Sequence, residues 1–295
     1  MKRLAVLVVL AALTSLALAV SAQARSVVAK RVGQSRADVT RYWTDARMRA
    51  ALPIERARPG GGGGSPTYPF TPFEVPGPYT SFPTSTNGKV FFTEGSTNYV
   101  CSGTALTSVN ASVVWTAGHC VNAGPGAFHT NWMFAPAYRD GASPLGRFTA
   151  TTLLTTEQWR AAGSFAYDLG AAVVGSIAGQ SLTSTTGGGR AITFNGPRNQ
   201  SYTAYGYPAA KKFSGQRLRG CASSWAFDDT SVTPNTMAIG CDMTGGSSGG
   251  AWITTAGALA SVNSYGYGTL RNVMFGPYQG TVAESLYGQA SATSP

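Results

Sequence analysis

Charge is what this 295-residue chain has least of: Asp, Glu, Lys and Arg together make up 12 % of it. No long charged amphipathic pattern runs through it, and Gly, Ser, Thr and Ala are plentiful. That composition suits short strands joined by turns better than helices. Histidine is scarcer still, with two residues, His119 and His129. After the first 24 residues no apolar run approaches the ~20 residues that a membrane span needs. Four cysteines are present, Cys101, Cys120, Cys221 and Cys241. No two of them have the two-to-four-residue spacing of a zinc knuckle, which weighs against a structural zinc site.

The net charge of +10 points at nucleic acid until it is divided along the chain. Residues 1–60 hold 11 of the 22 Lys and Arg and 3 of the 12 Asp and Glu. The remainder is almost balanced, so no basic footprint for nucleic acid is expected on the folded part.

What is present begins with an export signal. Lys2 and Arg3 precede an apolar run from Leu4 to Val20, and Ala22-Gln23-Ala24 fits the small-x-small cleavage rule. Residues 1–24 are therefore expected to be a signal peptide, with secretion and no stable membrane association after its removal. An even cysteine number in an exported chain fits two disulfides, and counting alone leaves three pairings.

Residues 25–58 are basic. Ser35-Arg36-Ala37-Asp38 reads as a helix start, and Val39, Tyr42, Trp43, Met48 and Leu52 could form one apolar face. Pro59, Gly60–Gly64, Ser65 and Pro66 make a break, followed by Pro-rich coil to about Pro83. A pro-segment and linker over residues 25–81 is the expectation. Beyond residue 87 the pattern becomes short apolar or alternating runs separated by turn residues. Examples are Lys89–Thr93, Tyr99–Leu106, Ser112–Thr116, Leu169–Val174, Met237–Cys241 and Leu259–Asn263. About eleven such runs argue for a β barrel or sandwich. Thr281–Tyr287 reads as a short helix.

A serine hydroxyl attacks at neutral pH only with a base beside it, a carboxylate to orient that base, and donors for the oxyanion. His119 lies in Val114-Trp115-Thr116-Ala117-Gly118-His119-Cys120, where an apolar run ends in small residues. This segment resembles the Thr-Ala-Ala/Gly-His-Cys signature of chymotrypsin-like serine peptidases. Gly245-Gly246-Ser247-Ser248-Gly249-Gly250 resembles that family's Gly-Asp-Ser-Gly-Gly box with Ser247 in place of the Asp. Asp168-Leu169-Gly170-Ala171 resembles its Asp-Ile/Leu-Ala-Leu segment. The serine box also satisfies a Gly-x-Ser-x-Gly elbow, but α/β-hydrolases place the histidine after the serine, and both histidines here precede it.

The resemblance covers about residues 87–287. It implies a triad of His119, Asp168 and Ser248, with the backbone N–H groups of Gly246 and Ser248 as the oxyanion hole. It implies two packed six-stranded antiparallel β-barrels, at about 87–180 and 190–280, within a peptidase domain of residues 82–295. Val262-Asn263-Ser264-Tyr265-Gly266 resembles the Ser-Trp-Gly substrate strand, making Ser264, Tyr265 and Gly266 substrate-binding residues. In trypsin-like members the position six before the serine carries an Asp at the pocket base; here it is Asp242, with Thr244 where those members have a cysteine. The disulfides implied are Cys101–Cys120 and Cys221–Cys241. Ser247 cannot make the ion pair that switches on the animal zymogens. In this the chain is closer to secreted bacterial trypsin-like and glutamyl-endopeptidase-like branches. A monomer that hydrolyses polypeptides without cofactor or metal is expected; the rival reading is a non-catalytic binding protein on the same fold.

Overall fold

The computed structural model of the protein describes residues 26–54, 57–58 and 67–295. The signal-peptide reading of residues 1–24 and the Gly60–Gly64 break lie outside the described residues. In chain order the first of the longer elements are strand β1 (Val27–Arg31), helices α1 (Arg36–Tyr42) and α2 (Asp45–Ala50), and, after the two-residue strands Leu52–Pro53 and Ala57–Arg58, strand β2 (Thr71–Glu74).

Six strands then form the first barrel. They are β3 (Asn87–Glu94), β4 (Thr97–Leu106), β5 (Val113–Thr116), β6 (Thr130–Pro136), β7 (Phe148–Thr156) and β8 (Gly170–Val174). They pair in the order β7-β8-β5-β4-β3-β6, and β6 returns to β7 to close the ring. Alternation along β3 explains how the ring fills and why its outside is also covered. Val90 and Phe92 point into a core shared with Val114, Trp115, Phe134 and Phe148. Phe91, between them, faces outward and is equally buried, because Trp43 packs on it with ring centroids 5.4 Å apart.

The N-terminal residues supply that cover. Ser35 caps α1 by accepting a hydrogen bond from the Asp38 N–H, as its sequence signature requires. Val39, Trp43 and Met48 of the proposed apolar face are buried against Phe91, Val100 and Met133. Leu52 is not, at 53 % exposure, because the chain leaves helical geometry at Ala51. The Trp43 indole N–H donates to the Asn131 carbonyl at 2.6 Å, and β1 pairs with β7.

The second half contains β9 (Ser201–Gly206), β10 (Arg219–Asp229), β11 (Thr236–Gly240), β12 (Ala251–Thr254), β13 (Leu259–Val262) and β14 (Val273–Gly276). Their order is β13-β12-β9-β10-β11-β14. This sheet curls without closing by strand pairing; its ends meet at a single bridge, Tyr265 to Phe275. The stretch before residue 82, read from sequence as Pro-rich coil, is structural: β2 pairs with Arg219–Ala222 of β10, and Val75 and Tyr79 are buried. A strand with Pro72 in it is tolerated there because it lies at a sheet edge. Helices α3 (Glu157–Ala162) and α4 (Leu182–Thr186) fill connections, and α5 (Thr281–Ala292) lays Ala283, Leu286 and Ala290 on the first barrel.

Both implied disulfides are formed. Cys101–Cys120 ties β4 to the turn after β5, and Cys221–Cys241 ties β10 to the end of β11, with Cα separations of 6.2 and 5.5 Å.

Candidate active site

The first barrel delivers a buried histidine–carboxylate pair. β5 ends at Thr116, and one short turn, Gly118–Cys120, presents His119. β8 begins just after Asp168. Because β8 and β5 are neighbours with Gly170 opposite Thr116, the two turns meet. His119 Nδ1 lies 2.7 Å from Asp168 Oδ2, and the His119 backbone N–H donates to Oδ1 at 2.7 Å. The Ser264 hydroxyl also donates to Oδ2, at 2.5 Å. Burial pushes the Asp168 carboxyl up, but its interaction with His119 and the hydrogen bonds from His119 and Ser264 outweigh it and hold the group below its ordinary value. An ionised Asp168 can only accept, so Nδ1 carries the imidazole proton. Nε2 is buried with no hydrogen-bond partner, which leaves its lone pair available.

Ser248 comes from the second half, on the tight turn before β12. Gly246 and Gly249 shape that turn with φ of +93° and +79°, a backbone region that side chains disfavour. A Cβ at Gly249 would also fall 1.9 Å from Thr116 Oγ1, so the turn can sit against the His119 strand only with glycine there. The Ser248 carbonyl accepts the Ser102 N–H at 2.7 Å, which fixes the turn to β4. The Ser248 hydroxyl makes no hydrogen bond to His119 Nε2 in this state. Ser247 turns its hydroxyl onto the Thr244 carbonyl at 2.8 Å.

Ser248, Asp242, Ser264, Tyr265 and Gly266 line one cavity of about 560 Å³. Asp242 is at its wall, but its carboxylate is ion-paired to Lys212 Nζ at 2.7 Å. The Asn263 amide donates to the carbonyls of Tyr205 and Ser247 at 2.9 and 3.0 Å, which ties the strand after β13 to the serine turn. His129 stacks on Phe92 and donates to the His119 carbonyl at 3.0 Å, a supporting position beneath the turn.

Three contributors were not legible in the sequence. Trp159 of α3 stands 6.1 Å from the His119 ring and donates its indole N–H to Asn122. Ile54 accepts the Gly246 N–H at 3.1 Å, so an N-terminal residue occupies one of the two N–H groups that the resemblance assigned to the oxyanion. Arg58 reaches Asp229 beside Tyr265 and Tyr267. Thr156 as N-cap and Gly163 as left-handed C-cap mark helix α3 itself, but no local signal places Trp159 beside His119, Ile54 on Gly246 or Arg58 on Asp229.

A closed six-stranded barrel, a curled second sheet and a serine turn in the cleft between them define a chymotrypsin-like serine protease. The chain belongs to that family and is a serine-type peptidase. It is 46 % identical to the protease Anisep from Arthrobacter nicotinovorans, over 71 % of this chain and 96 % of that one, with a TM-score of 0.68. It is 44 % identical to the thermostable serine protease AL20 from an extremophilic microorganism, over 71 % and 98 %, also at 0.68. A Glu endopeptidase shares the fold at 19 % identity, 75 % and 97 % coverage and a TM-score of 0.60. No protein-family model matches the chain, and no curated protein does.

Proposed function

We propose that the protein is a secreted endopeptidase, made with a signal peptide at residues 1–24 and an N-terminal segment that is later removed. Ser248 is the nucleophile, His119 the base and Asp168 the group that orients and stabilises the imidazolium. The observation that carries this reading is the 2.7 Å contact between His119 Nδ1 and an ionised, buried Asp168. That contact forces the tautomer whose Nε2 lone pair can take the Ser248 proton.

In the reaction the Ser248 oxygen attacks the scissile carbonyl carbon as His119 Nε2 takes the hydroxyl proton. The carbonyl oxygen becomes an oxyanion held by the N–H groups of Gly246 and Ser248. Collapse of this intermediate breaks the C–N bond, and His119 gives its proton to the leaving amine. Water then repeats the sequence on the acyl-enzyme and frees Ser248. The substrate is polypeptide; Ser264, Tyr265 and Gly266 offer it a strand to pair with.

The contact between Ile54 and Gly246 supports a latent precursor. A carbonyl already on an oxyanion donor competes with any substrate carbonyl for it. Cleavage in the Gly60–Gly64 run would separate residues 26–58 from a unit that keeps β2. The reading is tested with a fluorophosphonate serine probe on the protein taken from culture medium. Labelling that is lost in Ser248→Ala and kept in Ser247→Ala supports it. Equal labelling of Ser248→Ala and wild type refutes it.

A further inference from the structure

A cage next to the candidate active site holds a cation of the protein's own chain. The Arg58 guanidinium carbon lies 5.7, 5.8 and 5.7 Å from the ring centroids of Phe165, Tyr265 and Tyr267. Its Nη1 is 3.7 Å from Asp229 Oδ2 and within 3.2 Å of Ser231 Oγ. Three rings around one guanidinium, closed by a carboxylate, are the elements of a cation-recognition site.

The cage is built independently of its occupant. The phenol hydroxyls of Tyr265 and Tyr267 both donate to Asp229 Oδ2 at 2.6 Å. The Ser231 N–H and hydroxyl donate to Oδ1 at 2.9 and 2.6 Å. Phe165 packs on Tyr265 at 4.6 Å and on Trp159 at 5.7 Å. Burial pushes the Asp229 carboxyl up, and the hydrogen bonds from Ser231, Tyr265 and Tyr267 more than reverse this, so it stays charged. Among the described residues, Arg58 is the only cation ion-paired with it.

The cage also opens on the substrate cleft. Tyr265 and Tyr267 line the same cavity as Ser248. Ser264, which bonds Asp168, directly precedes Tyr265, and Phe165 stands three residues before Asp168. The main chain of Ala57–Arg58 pairs in parallel with Gly266–Tyr267, the strand offered to substrate. A group in the cage therefore sits on a peptide strand already laid along the cleft. Removing Arg58 would leave a largely buried carboxylate facing open cleft, a state that favours a second cation.

We propose that Phe165, Tyr265, Tyr267 and Asp229 form a remote specificity subsite that selects an arginine side chain in the substrate, and that Arg58 fills it until the N-terminal segment leaves. The proposal rests on the peptidase reading above. At about 3.3 Å per extended residue, a substrate paired along Ser264–Tyr267 puts the third or fourth residue before the scissile bond in the cage. Arginine is preferred over lysine because its planar group covers the rings and still reaches the carboxylate.

The test uses protein from culture medium and matched peptides that differ only at the second to fifth residue before the scissile bond, with Arg, Lys, Gln or Ala at each. The expected result is kcat/KM about tenfold higher for Arg than Gln at the third or fourth position. That ratio falls to within about twofold of one in Asp229→Asn and in the second variant Tyr267→Leu, each checked by Ser248 labelling. In the full chain, Arg58→Ala is labelled about tenfold faster than wild type, and Arg58→Lys lies between. A flat panel in wild type overturns the proposal, as does an arginine preference that survives both variants while the labelling of Ser248 persists. Absence of both labelling and hydrolysis in wild type overturns the peptidase reading, and this proposal with it.

Discussion

The two halves of the cleft differ in how completely they close, and their chemistry divides along that difference. The first barrel is a ring with a filled interior and a covered outer face, and it holds His119 and Asp168 at 0 % exposure. The second sheet ends in one bridge between Tyr265 and Phe275. It carries Ser248, the cavity wall with Asp242, and most of the Arg58 cage. A proton-transfer pair gains from fixed geometry and low dielectric, because misplacement weakens it steeply. Recognition of varied peptides needs open edges and unfilled volume. Closure on one side and incompleteness on the other thus provide both.

Damage to the closed half should act on rate, and damage to the open half away from the Ser248 turn should act on preference. The largest effect is expected from Asp168→Asn, with kcat lowered by about 10⁴-fold and folding retained. The amide would reverse the hydrogen bond to Nδ1 and favour the wrong imidazole tautomer. Steady-state kinetics with a thermal-unfolding control checks it; a loss under tenfold would separate Asp168 from the chemistry.

The next effect is on stability and touches both halves equally. Replacing either cysteine pair by alanine should lower stability by about 3 kcal/mol, since each bridge closes a loop of similar length. Denaturant titration measures this. If the Cys221–Cys241 variant lost far less, the open sheet would be held by other contacts than the bridge.

A comparable loss is expected at the outer cover. Trp43→Ala should destabilise the full chain by about 3 kcal/mol through the cavity it leaves. It should also speed fluorophosphonate labelling, because the same segment carries Ile54 to Gly246. Destabilisation without faster labelling would uncouple the cover from the cleft.

The smallest and most specific effect concerns pH. Lys89, buried in β3 with its ammonium on the Gly215 carbonyl at 2.8 Å, has its pKa lowered from 10.5 to about 8 by desolvation. Between those values the unfolded chain binds the proton and the folded one does not, so stability rises with pH across that window. The full difference corresponds to about 3 kcal/mol, of which about 1 kcal/mol falls between pH 8 and 9, below the ordinary tyrosine pKa of about 10. Lys89→Met should flatten the rise. An unchanged slope in that variant would show that Lys89 is not the source.

Much of this arrangement could be read from the sequence, and the boundary of legibility has a physical form. The eleven short runs are strands because short apolar or alternating stretches bounded by turn residues fit a pleated strand buried on one or both faces. His119, Asp168 and Ser248 stand in segments whose glycines and small residues are demanded locally. The helix start at Ser35 is likewise a property of four adjacent residues. What could not be read is held across long separations. Ile54 meets Gly246, and Arg58 meets Asp229, with no constraint on neighbouring residues in either strand. The Pro-rich stretch 67–81 was misleading for the same reason: an edge strand borrows its regularity from β10, and only the partner makes it a strand. Asp242 matched an offset, yet its direction depends on Lys212, thirty residues away in the chain.

The central claim is that Ser248 is the nucleophile served by His119. It is tested most directly by mass spectrometry of the protein from culture medium after reaction with a fluorophosphonate probe. Wild type should carry the adduct on the peptide containing Ser248, at that residue, and His119→Ala should acquire it at least about a thousandfold more slowly. An adduct on Ser247, or equal rates in wild type and His119→Ala, would contradict the account.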